Sequence, residues 1–332
     1  MFLLLLLSAR AAEPASLTSV AEAAAPHLVA LVVEHHGRVM FTHRGRPGVS
    51  RERDKTADPE LHDIRSAGKS ITALVVGAAV DDGLLTTDTA VWPLLGSDDP
   101  RYARVTVHDL LTMSSPLDCD DHHRRSPGHE ERMYRAPVWR EFALTLPFDT
   151  TFGRGPSGQG RFAYCTAGVF LLGQVVEAVA GEPFDVYAQR RLFDPLDIHD
   201  VVWRRSKAGE VQTGGQLGIR PTDLAKLGRL VLDGGEWQGE HLLSEAWIQA
   251  MLTPYHGSGP EHAYGYLWWL RTFDSEDGPQ PSAVMSGNGG NLVALFRERD
   301  AVAVVQSAAY NRRWADERSS ALVEAALAAL PE

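Results

Sequence analysis

The segment Ser66 to Leu85 (SAGKSITALVVGAAVDDGLL) limits the possible folds more than any other. Ile71, Leu74, Val75, Ala78 and Ala79 recur at helical spacing, yet apolar residues also occupy most other positions around the helix. A helix with no polar stripe has to sit inside a domain, so the rest of the chain must wrap it. Asp81-Asp82-Gly83 supplies the stop, with glycine at the expected C-terminal position. At 332 residues there is enough chain to bury such a core.

The flanking pattern indicates how. An Ala-rich helix is expected over residues 14–26. His27 to His35 (HLVALVVEH) reads as a strand, and Gly37-Arg38 turns it into a second, Val39 to His43. Residues 86–212 are mostly helical in pattern: Val107 to Met113, Pro137 to Leu144, Thr166 to Ala180 and Phe184 to Phe193. Further helices follow at Pro221 to Leu232, with Pro and Asp223 in its first turn, and at Leu243 to Leu252. From Tyr264 strands return as YGYLWWL, SAVMS, LVALFRE and VAVVQSA, the last two joined at Arg299-Asp300, before a closing helix, Trp314 to Leu330. The simplest arrangement is an α+β fold: one antiparallel sheet from both chain ends, flanked by helices, with a helical lobe at about 86–212 inserted in a single domain over 13–332.

A net charge of −11 disfavours nucleic acid and anionic lipid as partners. Residues 1–12, with the apolar run Phe2 to Leu7 and small residues at Ala9, Ala11 and Ala12, resemble a short signal peptide. The reading is export to the periplasm or outside the cell. The missing basic n-region leaves a misassigned start or a plain tail, and a cytoplasmic protein, as the alternative. No segment has the length of a stable membrane span. The two cysteines, Cys119 and Cys165, are either one disulfide or two buried thiols.

Chemistry enters at Ser66-Ala67-Gly68-Lys69. A serine hydroxyl needs a base within hydrogen-bond reach to act as a nucleophile. Residues i and i+3 share a helix face, so Lys69 can stand beside Ser66, and burial disfavours its ammonium form. The helix start also offers free N–H groups to a developing oxyanion. Alone, S-x-x-K is a short motif that recurs by chance. Its position at the mouth of the most apolar helix is what distinguishes it from a capping serine and a solvated lysine. The only other lysines are Lys55, Lys207 and Lys226.

Several segments carry a resemblance in order. They are Ser66-Ala-Gly-Lys69-Ser70, Val105 to Ser115 (VTVHDLLTMSS), Phe162-Ala-Tyr164-Cys165-Thr166-Ala-Gly168, Gly214-Gly215-Gln-Leu217 through the DLAKLG run from Asp223, Tyr264 to Trp269, and Ser286-Gly287-Asn288-Gly289-Gly290-Asn291. Together they resemble the penicillin-recognising serine hydrolases: class C β-lactamases, DD-peptidases, related esterases and 6-aminohexanoate-dimer hydrolases. The resemblance covers roughly residues 28–310 and implies a β-lactamase/transpeptidase-like fold. It also implies an acyl-enzyme on Ser66, with Lys69 as base and the Tyr164 phenol hydrogen-bonded between them as proton relay. Ser286, Gly287 and Asn288 take the place of the family's third motif, so the N–H groups of Asn288 and Ser66 would form the oxyanion hole. A Cys119–Cys165 bond would then pin Tyr164 against the lobe. No metal or organic cofactor is implied, and the partner is a small ester, amide or short peptide. Oligomeric state is not legible.

Three departures shape the expected substrate. The Lys/His-Thr/Ser-Gly motif reads Met285-Ser286-Gly287, the Asn of Tyr-x-Asn is Thr166, and Ser-Gly is Ser115-Pro116. The first removes a cation that would hold a penicillin's carboxylate, so ester or amide hydrolysis ranks ahead of β-lactamase or DD-peptidase action. A non-catalytic sensor on the same scaffold is the remaining alternative. Gly153 to Gly158 (GRGPSG) matches a nucleotide-binding pattern without the strand and helix it requires. The Asp118, Asp120, Asp121, His122 and His123 group reads as a solvated loop rather than a metal site. Trp268 and Trp269 are expected on opposite faces of one strand.

Overall fold

The computed structural model describes residues 16–46, 60–149, 153–154, 160–257 and 263–331. The 1–12 segment therefore lies outside the described residues, as does most of the GRGPSG stretch.

Seven strands form one antiparallel sheet: β1 (Leu28–His35), β2 (Arg38–Arg44), β3 (Ala263–Tyr264), β4 (Trp269–Phe273), β5 (Gln280–Gly287), β6 (Asn291–Phe296) and β7 (Ala301–Ser307). Their spatial order is β2-β1-β7-β6-β5-β4-β3, so the first and last strands of the chain pair directly, one strand in from the β2 edge. The alternation of side chains explains why these strands read as continuous apolar runs. Leu31 and Val33 of β1, Leu292, Ala294 and Phe296 of β6, and Ala303 and Val305 of β7 form one core with Leu322, Val323 and Ala326 of the C-terminal helix. Val32, Val293, Leu295, Val302 and Val304 point the other way, into the main core. Helices at the two chain ends, α1 (Leu17–Ala23) and α5 (Ala315–Ala328), contribute to the first core. The amphipathic α4 (Pro221–Leu232) covers the opposite face.

The apolar segment is the helix α2 (Gly68–Asp81), buried from Gly68 to Ala79. It packs against α3 (Thr166–Ala180), which is also apolar on most sides and ends on Gly181 at φ +69°. Between Val91 and Leu196 the described residues carry helices and no strand element.

Three local expectations are corrected, and two short features were not expected. The YGYLWWL stretch is not one strand: β3 stops at Tyr264 and β4 starts at Trp269. Gly265 runs against the Met251 carbonyl, where a Cβ would lie 2.2 Å away, and Leu267 has φ +59°. Trp268 thus leaves the sheet and is fully buried, while Trp269 stays on it. The helix expected to Phe193 is α-helical only over Phe184–Ala188 and widens to a π turn over Gln189–Phe193. A short helix, Glu130–Arg135, gave no signal of its own. A small sheet of His62–Asp63, Leu217–Ile219 and Val202–Trp203 was too short to leave a periodic signal.

Candidate active site

Ser66 sits in a single 3-10 turn, Arg65–Ala67, that runs directly into α2. Lys69 lies one turn on, and its side chain is 1% exposed. Its Nζ donates to Ser66 Oγ at 3.1 Å and to the Gly214 carbonyl at 2.6 Å. The second contact depends on the segment 212–215 threading between α2 and α3. Thr72 Oγ1 donates to the Thr213 carbonyl at 2.6 Å, and Thr213 Oγ1 donates to the Val169 carbonyl at 2.9 Å. Glycine permits the approach: a Cβ on Gly215 would fall 2.6 Å from the Arg65 carbonyl, and one on Gly68 would fall 3.2 Å from Gly215 Cα.

The end of β5 closes on the same turn. A Cβ on Gly287 would lie 2.0 Å from the Ile64 carbonyl oxygen and 2.9 Å from the Ala67 nitrogen. The backbone then turns through Asn288, Gly289 (φ +97°) and Gly290 (φ +82°) into β6. Asn288 is clasped by Asn311: its Oδ1 accepts the Asn311 N–H at 2.8 Å, and its Nδ2 donates to Asn311 Oδ1 at 2.9 Å. Among the described residues, neither the Ser66 nor the Asn288 backbone N–H donates to a protein acceptor. Ser286 is half-buried, and Met285 points into the main core.

Tyr164 approaches differently from the expectation. Lys69 Nζ stands over its ring, 4.9 Å from the centroid. The ring stacks on His122 at 5.5 Å and on Trp269 at 6.1 Å. No hydrogen bond joins its hydroxyl to Ser66 or Lys69, because these aromatic contacts turn the ring face to the amine. Catalytic hydrogen bonds are often formed only once substrate is in place.

Cys119 and Cys165 are joined, with Sγ atoms 2.02 Å and Cα atoms 5.3 Å apart. The bond ties the loop after Leu117 to Cys165, the residue that caps the start of α3, next to Tyr164. Asp121 reinforces it and was not legible as more than a loop carboxylate. Its N–H donates to the Tyr164 carbonyl at 2.8 Å. Its carboxylate accepts the N–H of Thr166 at 2.7 Å and of Glu130 at 2.8 Å. Burial pushes its carboxyl pKa up; the Lys69 charge pulls the other way and the neighbouring Glu130 adds to the rise. These partners are 45 and 9 residues away in sequence, so no local spacing could have signalled them. Within the rest of the Asp/His group, Asp120 accepts from His122 N and bonds the His123 ring, while the Asp118 N–H donates to the Pro147 carbonyl at 2.8 Å. Arg154 of the GRGPSG stretch forms a two-pronged pair with Asp109 at 2.8 and 2.9 Å. Among the described residues no cluster of three or more His, Cys, Asp or Glu side chains could hold a metal ion, and no single helix is long and apolar enough to cross a membrane.

The chain is similar to a 6-aminohexanoate-dimer hydrolase of Paenarthrobacter ureafaciens, 28% identical over 233 residues. The match covers 64% of this chain and 58% of that protein. Penicillin-binding protein 4 of Amycolatopsis lactamdurans is 28% identical over 250 residues, covering 64% of this chain and 63% of its own. The chain thus spans less than two thirds of the curated relatives it matches. In fold it resembles a penicillin-binding protein of Bacillus halodurans, with TM-score 0.67, 22% identity, and coverage of 93% of this chain and 99% of the other. A class C β-lactamase of Rhodobacter sphaeroides superposes with TM-score 0.65 at 15% identity, covering 92% and 97%. The profile described as Beta-lactamase matches residues 19–327, which takes in both sheet-forming ends, the α2 turn with Ser66 and Lys69, and the β5 turn at Gly287: the chain belongs to the Beta-lactamase family.

Proposed function

We propose that the protein is a serine hydrolase that cleaves an ester or amide through an acyl-enzyme on Ser66. The observation that carries this is Lys69, buried and donating to both Ser66 Oγ and the Gly214 carbonyl. A lysine held there by two contacts has its amine aimed at one hydroxyl. In the first step Ser66 Oγ bonds to the substrate carbonyl carbon while its proton passes to Lys69 Nζ. The oxyanion meets the N–H groups of Ser66 and Asn288, which have no protein acceptor. The proton then reaches the leaving alkoxide or amine by way of the Tyr164 hydroxyl as the carbonyl–leaving-group bond breaks. Water repeats the sequence on the acyl-enzyme, releasing the acid and restoring the serine.

Met285 and Ser286 in place of a cationic third motif favour ester and amide substrates over penicillins. The names of the relatives, among them a lovastatin esterase of Penicillium rubens, span this same range of acyl chemistry. The test is a panel of short-chain 4-nitrophenyl esters, an ω-amino-acid amide and a chromogenic cephalosporin, run on wild type, Ser66→Ala and Lys69→Ala. Ester or amide turnover lost in both variants is expected. Full turnover by Ser66→Ala would refute the assignment, and efficient cephalosporin turnover by wild type would move it to a β-lactamase.

A further inference from the structure

The proposed oxyanion hole draws its two N–H donors from separate parts of the fold. Ser66 stands on the 3-10 turn before α2, and Asn288 on the turn between β5 and β6. Such donors stabilise the transition state only when held in place before the charge develops. The Asn288 turn has little stiffness of its own. Gly289 and Gly290 follow, both at positive φ, and glycine restrains its backbone least of all residues. What holds the turn lies just after β7.

Two consecutive residues there, Tyr310 and Asn311, reach both sides of the hole. Asn311 reads the Asn288 side chain as an amide. Asn288 Oδ1 accepts the Asn311 N–H at 2.8 Å, and its Nδ2 donates to Asn311 Oδ1 at 2.9 Å. Asn311 sits at φ +62°, a left-handed conformation that asparagine tolerates better than most residues. The Tyr310 ring lies against the same turn, since a Cβ on Gly289 would fall 2.6 Å from its Cδ1. On the other side, the Tyr310 hydroxyl donates to the Asp63 carbonyl at 2.8 Å and meets His62 Nε2 at 3.1 Å. The Arg65 guanidinium stands 4.2 Å from the ring centroid. His62, Asp63 and Arg65 belong to the short run that leads into Ser66. Buried Asn291 adds a bond from its Nδ2 to the Asn288 carbonyl at 3.0 Å. Among the described residues, each polar group of Asn288 has a protein partner except the backbone N–H.

We infer that Tyr310 and Asn311 are positioning residues that together fix the spacing of the Ser66 and Asn288 N–H groups, with the Asn288 side chain as the handle. This role rests on the Ser66 reading, since it acts on the oxyanion of that reaction.

The test measures kcat and KM for 4-nitrophenyl butyrate. Asn288→Ala removes both clasp bonds and keeps the N–H. Asn311→Gly removes one of them and meets no strain at φ +62°. Tyr310→Phe loses the bond to Asp63 and keeps the ring. The hole serves acylation and deacylation alike, so KM should stay within about threefold of wild type while kcat falls. The expected fall is about tenfold or more in Asn288→Ala, and about fivefold in Asn311→Gly and in Tyr310→Phe. Asn288→Ala/Asn311→Gly should lie within about twofold of Asn288→Ala, because both changes break one contact. The clasp is exposed, and such hydrogen bonds add little net stability, so thermal melting should barely move. Inhibition by phenylboronic acid, which bonds Ser66 Oγ as a tetrahedral anion, should weaken in step with kcat. A merely structural role would move melting and leave that parallel absent. A kcat within twofold of wild type in Asn288→Ala or Tyr310→Phe, or a double-variant loss equal to the product of the single losses, would overturn the inference and leave Ser66 as nucleophile. Full turnover by Ser66→Ala would overturn both.

Discussion

Gly287→Ala tests the contact on which the proposed site depends most. The residue does not have a positive φ, so alanine meets no backbone penalty there and the substitution probes space alone. Its Cβ would lie 2.0 Å from the Ile64 carbonyl oxygen and 2.9 Å from the Ala67 nitrogen, both backbone atoms that cannot rotate away. An ordinary non-bonded separation is about 3.5 Å, so β5 and the serine turn must part by roughly 1.5 Å. Overpacking of this kind costs about 1–3 kcal/mol of stability, which a domain of this size survives. The effect on catalysis is larger in proportion. A misplacement of about 1 Å between reacting groups costs on the order of 100-fold in rate, and here the displaced group is the Asn288 N–H of the proposed oxyanion hole. The measurement is kcat/KM for a 4-nitrophenyl ester, paired with a urea unfolding curve. A fall of about 100-fold with cooperative unfolding retained is expected. A kcat/KM within threefold of wild type, with an unchanged unfolding midpoint, would refute the close approach of β5 to Ser66.

Two further outcomes follow from the same geometry. Cys119→Ala/Cys165→Ala opens a loop spanning a sequence separation of 46 residues, which in the chain-entropy account lowers stability by about 4 kcal/mol; a urea-derived loss under about 1 kcal/mol would show that the bond restrains little. His62, buried beside the Ser307 carbonyl and the Tyr310 hydroxyl, has its pKa pushed down from 6.5 to about 4, chiefly by burial, with Arg65 and Arg46 adding to the fall and Ser307 and Asn291 opposing it. Above pH 6.5 both folded and unfolded chains hold it neutral; as pH drops from 6.5 to 4 only the unfolded chain takes the proton. That interval should remove about 3 kcal/mol of stability and then level off. Urea curves at pH 7.5 and 4.5 should show wild type losing more than His62→Gln, and parallel losses would sink the argument.

How much of this was legible in the chain follows from the range of the forces involved. The α2 helix, α3 over Thr166–Ala180 and α4 over Pro221–Leu232 were readable to the residue or nearly so, because apolar periodicity and terminal Pro, Asp and Gly are local signals. The Ser66–Lys69 pair was readable for the same reason: a helix turn brings i and i+3 together whatever surrounds it. The short helix at Glu130–Arg135 and the break between Tyr264 and Trp269 were not, since each is decided by what lies against it rather than by its own pattern.

The sequence by itself determined an α+β chain built round one apolar helix, with a serine and a lysine at its start. Only the tertiary structure decided what surrounds that serine. The Gly214 carbonyl, the Gly287 strand, the Asp121 clamp on Tyr164 and the Asn311–Asn288 clasp join positions from 23 residues apart, Asn288 to Asn311, to 223 apart, Ile64 to Gly287. Contacts over such separations are set by packing and by backbone groups seeking partners, and neither leaves a mark in local residue order. The Tyr164 ring is the clearest case: its presence could be read, and its turn toward the Lys69 amine was settled by His122 and Trp269.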